Sequence, residues 1–397
     1  MGFFDLVPLA PPDPILGLTS AFLSDKRALK VNLGVGLYKE TNLQTPVLVS
    51  VKMAEKILLQ EEKSKEYLPI SGDELFLEHT GELVFGKTLW SGAKGCISSF
   101  QSLGGTGALS IGATFLREVT PGLLYISNPT WQNHKGIFGD ARFEVKNYPY
   151  YDSITHQLCY EAMLFFLNSL AEESVVVLHA ACHNPTGADL NENQWKEIAE
   201  ICMKKKLIPF FDSAYQGFGR SLEKDVFAIR YFLEKGLEIV VATSYSKNFS
   251  FYGERMGALF IVSASDKVAK AVTSRVKQII RTRYSNPPMH GAKIIRHILG
   301  DAKLRGLWQG ELEAMRGRIF QMRLQLAQEL TKTIQTVDFR YLHERFGMFC
   351  FSNLKKAQVD RLIAEYGIYM TSDGRMNVCG LNPDNLDYVV RSIGAIL

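Results

Sequence analysis

The sequence predicts an α/β fold, with a large doubly wound domain built on a mostly parallel sheet and a smaller α+β domain beside it. Two observations carry this. From about residue 100 to 265, short apolar runs alternate with amphipathic stretches, the pattern of strands buried on both faces and separated by helices. Beyond them, Leu304, Trp308, Leu312, Met315, Ile319 and their neighbours up to Leu330 step by three or four, which predicts one long helix over about 302–331 with its stripe against a core.

The 397 residues, 46% hydrophobic and 22% charged, suffice for one large core or a large domain with a companion. A net charge of +4, with basic residues scattered apart from Lys204-Lys205-Lys206, argues against a nucleic-acid partner. No apolar stretch reaches the ~18 residues of a membrane span, and the start lacks the basic and apolar regions of a secretory leader. Leu6 spoils a myristoylation match. The cysteines show no C-x-x-C pair or regular spacing, which suits a reducing cytoplasm.

Pro8, Pro11, Pro12 and Pro14 exclude regular helix or central strand, so the chain start reads as an extended arm lying on another surface. Gly81 to Thr88 formally matches G-x-x-x-x-G-K-T, which would make the chain a P-loop nucleotide-binding protein using Lys87. The residues before it look helical, however, and Leu83, Val84 and Phe85 are too large to curl around phosphate, so the match reads as chance within an amphipathic helix.

Gly104-Gly105-Thr106-Gly107-Ala108-Leu109 opens a predicted helix over 108–117. Glycines there let backbone amides approach an anion at a helix N-terminus, although Ser110 stands where a dinucleotide fingerprint has its third glycine. The run Leu123 to Ile126 leads to Trp131, an indole placed to stack on a flat ring. Val175 to Leu178 leads into His183-Asn184-Pro185-Thr186-Gly187, a turn presenting Asn184. His179 and His183 have a spacing that suits two metal ligands on a helix, but on a strand and its turn they face different ways.

Asn191 with Gln194 predicts a capped helix ending at Lys204 to Lys206. Leu207 to Phe211 then delivers Asp212 and, three residues on, Tyr215. Between the runs Glu238 to Ala242 and Met256 to Val262 lies Ser244-Tyr245-Ser246-Lys247-Asn248, with Arg255 eight residues past the lysine. A lysine at the mouth of a parallel sheet, crowded by an arginine, can lose its proton and form a Schiff base. Arg281 and Arg375 are each able to clamp a carboxylate. Met348 to Phe351 and the segment Val359 to Tyr366 belong to the smaller domain.

Taken jointly, an amine, a carboxylate, an amide, a phenol and a phosphate seat describe a pyridoxal phosphate site. From about Phe3 onward the chain resembles the fold type I, class I pyridoxal-phosphate aminotransferases of the aspartate and aromatic amino-acid subgroup. The matching stretches are Asn32 to Tyr38, Gly104 to Leu109, Trp131 to His134, His183 to Gly187, Asp212 to Phe218, Ser244 to Phe249, Tyr284 to Pro288 and Gly374 to Val378. Ser250 and Gly253 depart from the family's usual Gly and Asn, and Gly104 stands where some members have Ser.

The resemblance implies that Lys247 carries the cofactor and moves the proton, while Asp212 keeps the ring nitrogen protonated. It also implies that Asn184 and Tyr215 bond the ring oxygen, that Trp131 stacks on the ring, and that Gly105, Thr106, Ser244 and Arg255 hold the phosphate. Arg375, with Gly36, Asn184 and Trp131, would bind the substrate. Arg281 would grip a distal carboxylate, and Tyr67 the phosphate, each from the second subunit of a homodimer. The expected division is 1–45 for the arm and first part of the small domain, 46–314 for the large cofactor domain and 315–397 for the rest of the small domain. The expected reaction is transamination of aspartate or aromatic amino acids with 2-oxoglutarate. Leu37 leans towards aromatic substrates; Lys39, Thr45 and Asn286 lean the other way. A regulator built on the same fold is the remaining alternative and would need an appended DNA-binding segment.

Overall fold

The computed structural model describes residues 2–9, 16–335, 337–352 and 354–397. The expectation of an extended arm at Pro11, Pro12 and Pro14 falls outside these residues; Pro8 is described and exposed.

The central sheet has seven strands: β1 (Ile97–Leu103), β2 (Leu124–Asn128), β3 (Val145–Pro149), β4 (Val175–His179), β5 (Ile208–Ser213), β6 (Val240–Ser244) and β7 (Met256–Val262). Their spatial order is β1-β7-β6-β5-β4-β2-β3. β7 pairs antiparallel with both β1 and β6, whereas β6, β5, β4, β2 and β3 pair with one another in parallel. Val175, Val177, Phe210, Val240 and Leu259 enter one core, while Val176, Leu178, Phe211, Val241 and Phe260 enter the other. Alternate residues thus feed opposite faces, and each fully buried side chain of this kind contributes about 1.5–3 kcal/mol. That is why the runs are apolar at every position.

The edge strands β1 and β3 carry no such run. β1 buries Ser98, Gln101 and Ser102 because each has a partner: Ser98 Oγ donates to the Ala269 carbonyl at 2.8 Å, Gln101 Nε2 to that of Pro288 at 2.6 Å and Ser102 Oγ to that of Gly104 at 3.0 Å. β3 leaves Lys146 and Asn147 exposed and ends in Pro149, as an outermost strand permits.

The Glu192–Lys205 helix has the predicted capping box, Gln194 N–H donating to Asn191 Oδ1 at 3.0 Å and Asn191 N–H to Gln194 Oε1 at 2.9 Å. The P-loop pattern falls on two helices, Glu74–Phe85 and Lys87–Ala93, broken at Gly86 (φ +81°), rather than inside one helix as expected. Leu83, Val84 and Phe85 are buried there, so the segment cannot wrap a phosphate.

The chain start joins its end: Val31–Asn32 pairs in parallel with Ile368–Tyr369, and Phe349–Phe351 pairs antiparallel with Arg375–Asn377. The predicted long helix is continuous over Ala302–Thr333, so the expected boundary at 314/315 lies within it. The helix links the sheet domain to these small sheets.

Candidate active site

β4, β5 and β6 end in register, with His179 opposite Asp212 and Asp212 opposite Ala242. Their carboxyl ends are where ligands bind in open parallel sheets. Lys247 sits on the loop after β6, its Nζ 4.8 Å from the centroid of the Tyr215 ring. The residue is half-buried by surface area because it faces a cavity, yet protein encloses its amine on the other sides. This desolvation outweighs the attraction of Asp212 and, aided by Arg255 and Arg375, brings its pKa down to about 8.

Asp212 is buried, which by itself raises its pKa, but the hydrogen bond from His134 and nearby positive charge reverse the effect and hold it below the ordinary carboxylate value. His134 Nε2 lies 3.0 Å from Asp212 Oδ2. An ionised carboxylate only accepts, so Nε2 carries the proton. The Thr130 hydroxyl lies 2.9 Å from His134 Nδ1 and 2.9 Å from His179 Nε2, linking the two imidazoles. Burial pushes His179 down to about 3, keeping it neutral. Contrary to expectation, His179 and His183 do not face apart: their ring centroids are 4.3 Å from each other. His183 bonds Ser127 and Thr186, both at 2.9 Å, so both histidines are occupied by hydroxyls.

Tyr215, raised well above its ordinary pKa by burial, accepts a long 3.5 Å contact from Asn184 Nδ2. Arg375 Nη1 donates to Asn184 Oδ1 at 3.2 Å and Nη2 to the Gly34 carbonyl at 2.9 Å. Its guanidinium lies 4.4 Å from the Phe349 ring centroid. Nε has no partner, and among the described residues no carboxylate forms an ion pair with this buried cation.

The helix after β1 begins at Gly104, earlier than predicted, and runs to Val119 with no side-chain cap at its N-terminus. Gly104 has φ +67°, and a Cβ there would lie 2.7 Å from Arg255 Nη2; one at Gly105 would lie 3.0 Å from Ser244 Cβ. The glycines therefore let the helix start approach Arg255 and Ser244 closely. Arg255 Nη1 donates to Ser246 Oγ at 3.3 Å and the Tyr252 carbonyl at 2.9 Å.

These groups converge on a cavity of about 350 Å³. Of the expected residues, Gly36, Gly105, Thr106, Trp131, Asn184, Asp212, Tyr215, Ser244, Lys247, Arg255 and Arg375 line it. Tyr67, 91% exposed, and Arg281, exposed and bonded to Ser285, stand outside the cavity of their own chain. Leu37, Lys39, Thr45 and Asn286 do not line it; Asn286 Nδ2 donates to the Leu68 carbonyl at 2.9 Å. Sequence reasoning missed Leu109, His179, Ala214, Ser246, Tyr252 and Phe349 as lining residues, and missed His134 behind Asp212.

A doubly wound sheet of this order, with such a cavity at its strand ends, is the fold of the pyridoxal-phosphate-dependent transferases. The chain belongs to the aminotransferases of class I and II, whose family model matches residues 28–393. It is 44% identical to the aspartate aminotransferase of Pseudomonas aeruginosa, covering 100% of both chains, and 43% identical to that of Escherichia coli, covering 99% of this chain and 100% of the other. Its structure is similar to the aromatic-amino-acid aminotransferase of Burkholderia pseudomallei, which is covalently bound to pyridoxal phosphate (TM-score 0.96, 46% identity, 100% of both chains). It is also similar to an aspartate aminotransferase from the cytoplasm of Saccharomyces cerevisiae (TM-score 0.95, 35% identity, 99% of this chain and 98% of that one).

Proposed function

We propose that this aminotransferase uses pyridoxal phosphate to exchange the amino group of aspartate or an aromatic amino acid with 2-oxoglutarate. The observation that carries the reading is the buried Arg375 guanidinium without a carboxylate partner, facing the same cavity as Lys247 and Asp212. Lys247, Arg255 and Arg375 against Asp212 make the cavity cationic, which suits a phosphate and a substrate carboxylate together. The uncapped helix start at Gly104 to Thr106 and the space that its glycines leave beside Ser244 and Arg255 fit the phosphate.

When bound, the cofactor supplies an aldehyde that condenses with amines and a pyridine ring that accepts electrons. The chain's own groups supply the rest. Lys247, with a pKa of about 8, has a neutral amine fraction near neutral pH and serves as the base at the substrate α-carbon. Asp212, kept ionised by His134, holds a proton on the ring nitrogen. Asn184 and Tyr215 offer hydrogen bonds to the ring oxygen, and Trp131 walls the ring. Gly105, Thr106, Ser244 and Arg255 hold the phosphate. Arg375 binds the substrate α-carboxylate in a fork, with Gly36 closing the opposite wall.

The exposure of Tyr67 and Arg281 on their own chain supports placing both in the cavity of a second subunit in a homodimer. Phe3 and Leu9, each 100% exposed at the chain start, are further apolar surface for that partner to cover. The assignment of 1–45 and 315–397 to a small domain beside 46–314 is supported by the pairing of Val31–Asn32 with Ile368–Tyr369. Cysteines that are all free among the described residues support a cytoplasmic setting, and no described helix is long and apolar enough to cross a membrane. Steady-state kinetics with aspartate, tyrosine and phenylalanine against 2-oxoglutarate test the reading; no turnover of any of them refutes it.

A further inference from the structure

Ser250, three residues past Lys247, has a φ of +55°. Glycine adopts that conformation without penalty, whereas a residue with a side chain is strained and persists only where something compensates. The Ser250 hydroxyl makes one contact, donating to the carbonyl of Pro46 at 2.7 Å. Two residues on, the Tyr252 hydroxyl accepts the backbone N–H of Tyr38, also at 2.7 Å. The loop that carries Lys247 is thus bonded to both ends of the segment 38–46.

This segment continues the wall of the cavity. Gly36 lines the cavity, and a Cβ at Gly36 would lie 3.1 Å from Phe349 Cζ. The stretch around Gly36 is fastened to the small domain by Asn377 Nδ2, which donates to the carbonyls of Val35 at 2.5 Å and Leu37 at 2.8 Å, and by Arg375, which donates to that of Gly34 at 2.9 Å. Beyond Tyr38, residues Glu40, Thr41, Asn42, Gln44 and Thr45 are exposed and the turn closes through Leu43 N–H to Glu40 O at 2.9 Å; Arg318 Nη2 donates to the Glu40 carbonyl at 3.2 Å and Asn382 Nδ2 to that of Thr41 at 3.0 Å. Those two bonds hold the middle of the segment, and the Ser250 hydroxyl ties its far end at Pro46 to the Lys247 loop.

We propose that Ser250 is a positioning residue, its hydrogen bond to Pro46 latching the segment 36–46 to the Lys247 loop so that the Gly36 wall is in place before substrate arrives. The proposal rests on the aminotransferase reading of the cavity. The Ser250 hydroxyl reaches no group assigned to substrate or cofactor; its backbone N–H closes a turn on the Lys247 carbonyl at 2.9 Å, a bond that a change of side chain leaves in place, so the hydroxyl acts through the segment it holds. Losing the latch makes every substrate order the segment on binding, which raises KM and leaves the reacting groups unchanged.

Ser250→Gly removes the hydroxyl and also relieves the backbone strain, so folding is not at risk. In the holoenzyme it is expected to raise KM for aspartate and for phenylalanine by a common factor, about threefold to tenfold for one hydrogen bond, with kcat unchanged and Tm not lowered. Ser250→Ala should show the same KM rise. Hydrogen exchange of the amides of residues 38–46 should quicken in both variants. Unchanged exchange there overturns the latch, whatever the kinetics; so does a fall in kcat with KM unmoved, which would place the effect on Lys247 itself. Absence of turnover in the unaltered enzyme would instead refute the aminotransferase reading, and the exchange measurement would still decide the latch.

Discussion

His134 Nε2 meets Asp212 Oδ2 at 3.0 Å with both side chains buried, and this contact favours the ionised form of Asp212, the one carboxylate lining the cavity among the described residues. Burial alone pushes the Asp212 pKa up; the His134 hydrogen bond is the largest influence pulling it down.

His134→Ala should therefore let burial win and raise the Asp212 pKa. A carboxylate with a raised pKa loses its charge at higher pH as the solution is acidified, so the acid limb of kcat/KM moves to higher pH while the alkaline side changes least. A pH–rate profile checks this. An acid limb that stays in place would mean that Asp212 is not the group being titrated.

Asp212→Ala should fold, because the strand ends around it keep their packing, yet lose most of the transamination rate. A hydrogen bond to a charged group contributes about 1.5–3 kcal/mol, which at about 1.36 kcal/mol per decade is a loss of at least roughly tenfold to a hundredfold in kcat. Circular dichroism with kinetics tests both halves. Near-normal turnover in a folded variant rules the role out.

Arg375→Lys should behave almost as badly as Arg375→Ala. An ammonium cannot reproduce the planar fork that binds a carboxylate at two points, nor the stacking over Phe349. KM should rise for every substrate, aromatic or acidic, since each brings an α-carboxylate. An effect confined to aspartate would assign Arg375 to the distal carboxylate.

Arg281→Ala should cripple kcat/KM for aspartate and spare phenylalanine. A carboxylate left buried without its partner costs about 3–5 kcal/mol, more than about a hundredfold at 1.36 kcal/mol per decade. Mixing Arg281→Ala with Lys247→Ala subunits should restore part of the aspartate activity, because one site of the hybrid combines an intact Lys247 with the partner's intact arginine. No gain in demonstrated hybrids would place Arg281 within its own chain's site.

The sequence showed the parts of the site that end apolar runs. Asp212 and Lys247 were legible because Leu207 to Phe211 and Glu238 to Ala242 read as strands, and residues just past the carboxyl end of a strand in a parallel sheet face the ligand. β1 was not legible, since Ser98, Gln101 and Ser102 look like surface residues until their buried partners are known. Phe349 enters the cavity from a strand about a hundred residues past Lys247, a proximity that no local pattern encodes. His134 lay in a stretch already singled out for Trp131, but its role depends on Asp212, 78 residues away. His179 and His183 were read as facing apart because the alternation of a strand was carried into a loop that turns back on itself.

Every role assigned to the cavity depends on Lys247 bearing the cofactor. The most direct measurement is borohydride reduction of the protein reconstituted with pyridoxal phosphate, with peptide mapping of the product. The label should sit on Lys247 alone, and Lys247→Ala should take up no label while remaining folded. Reduced cofactor on another lysine, or labelling undiminished in Lys247→Ala, would contradict that assignment and the mechanism built on it.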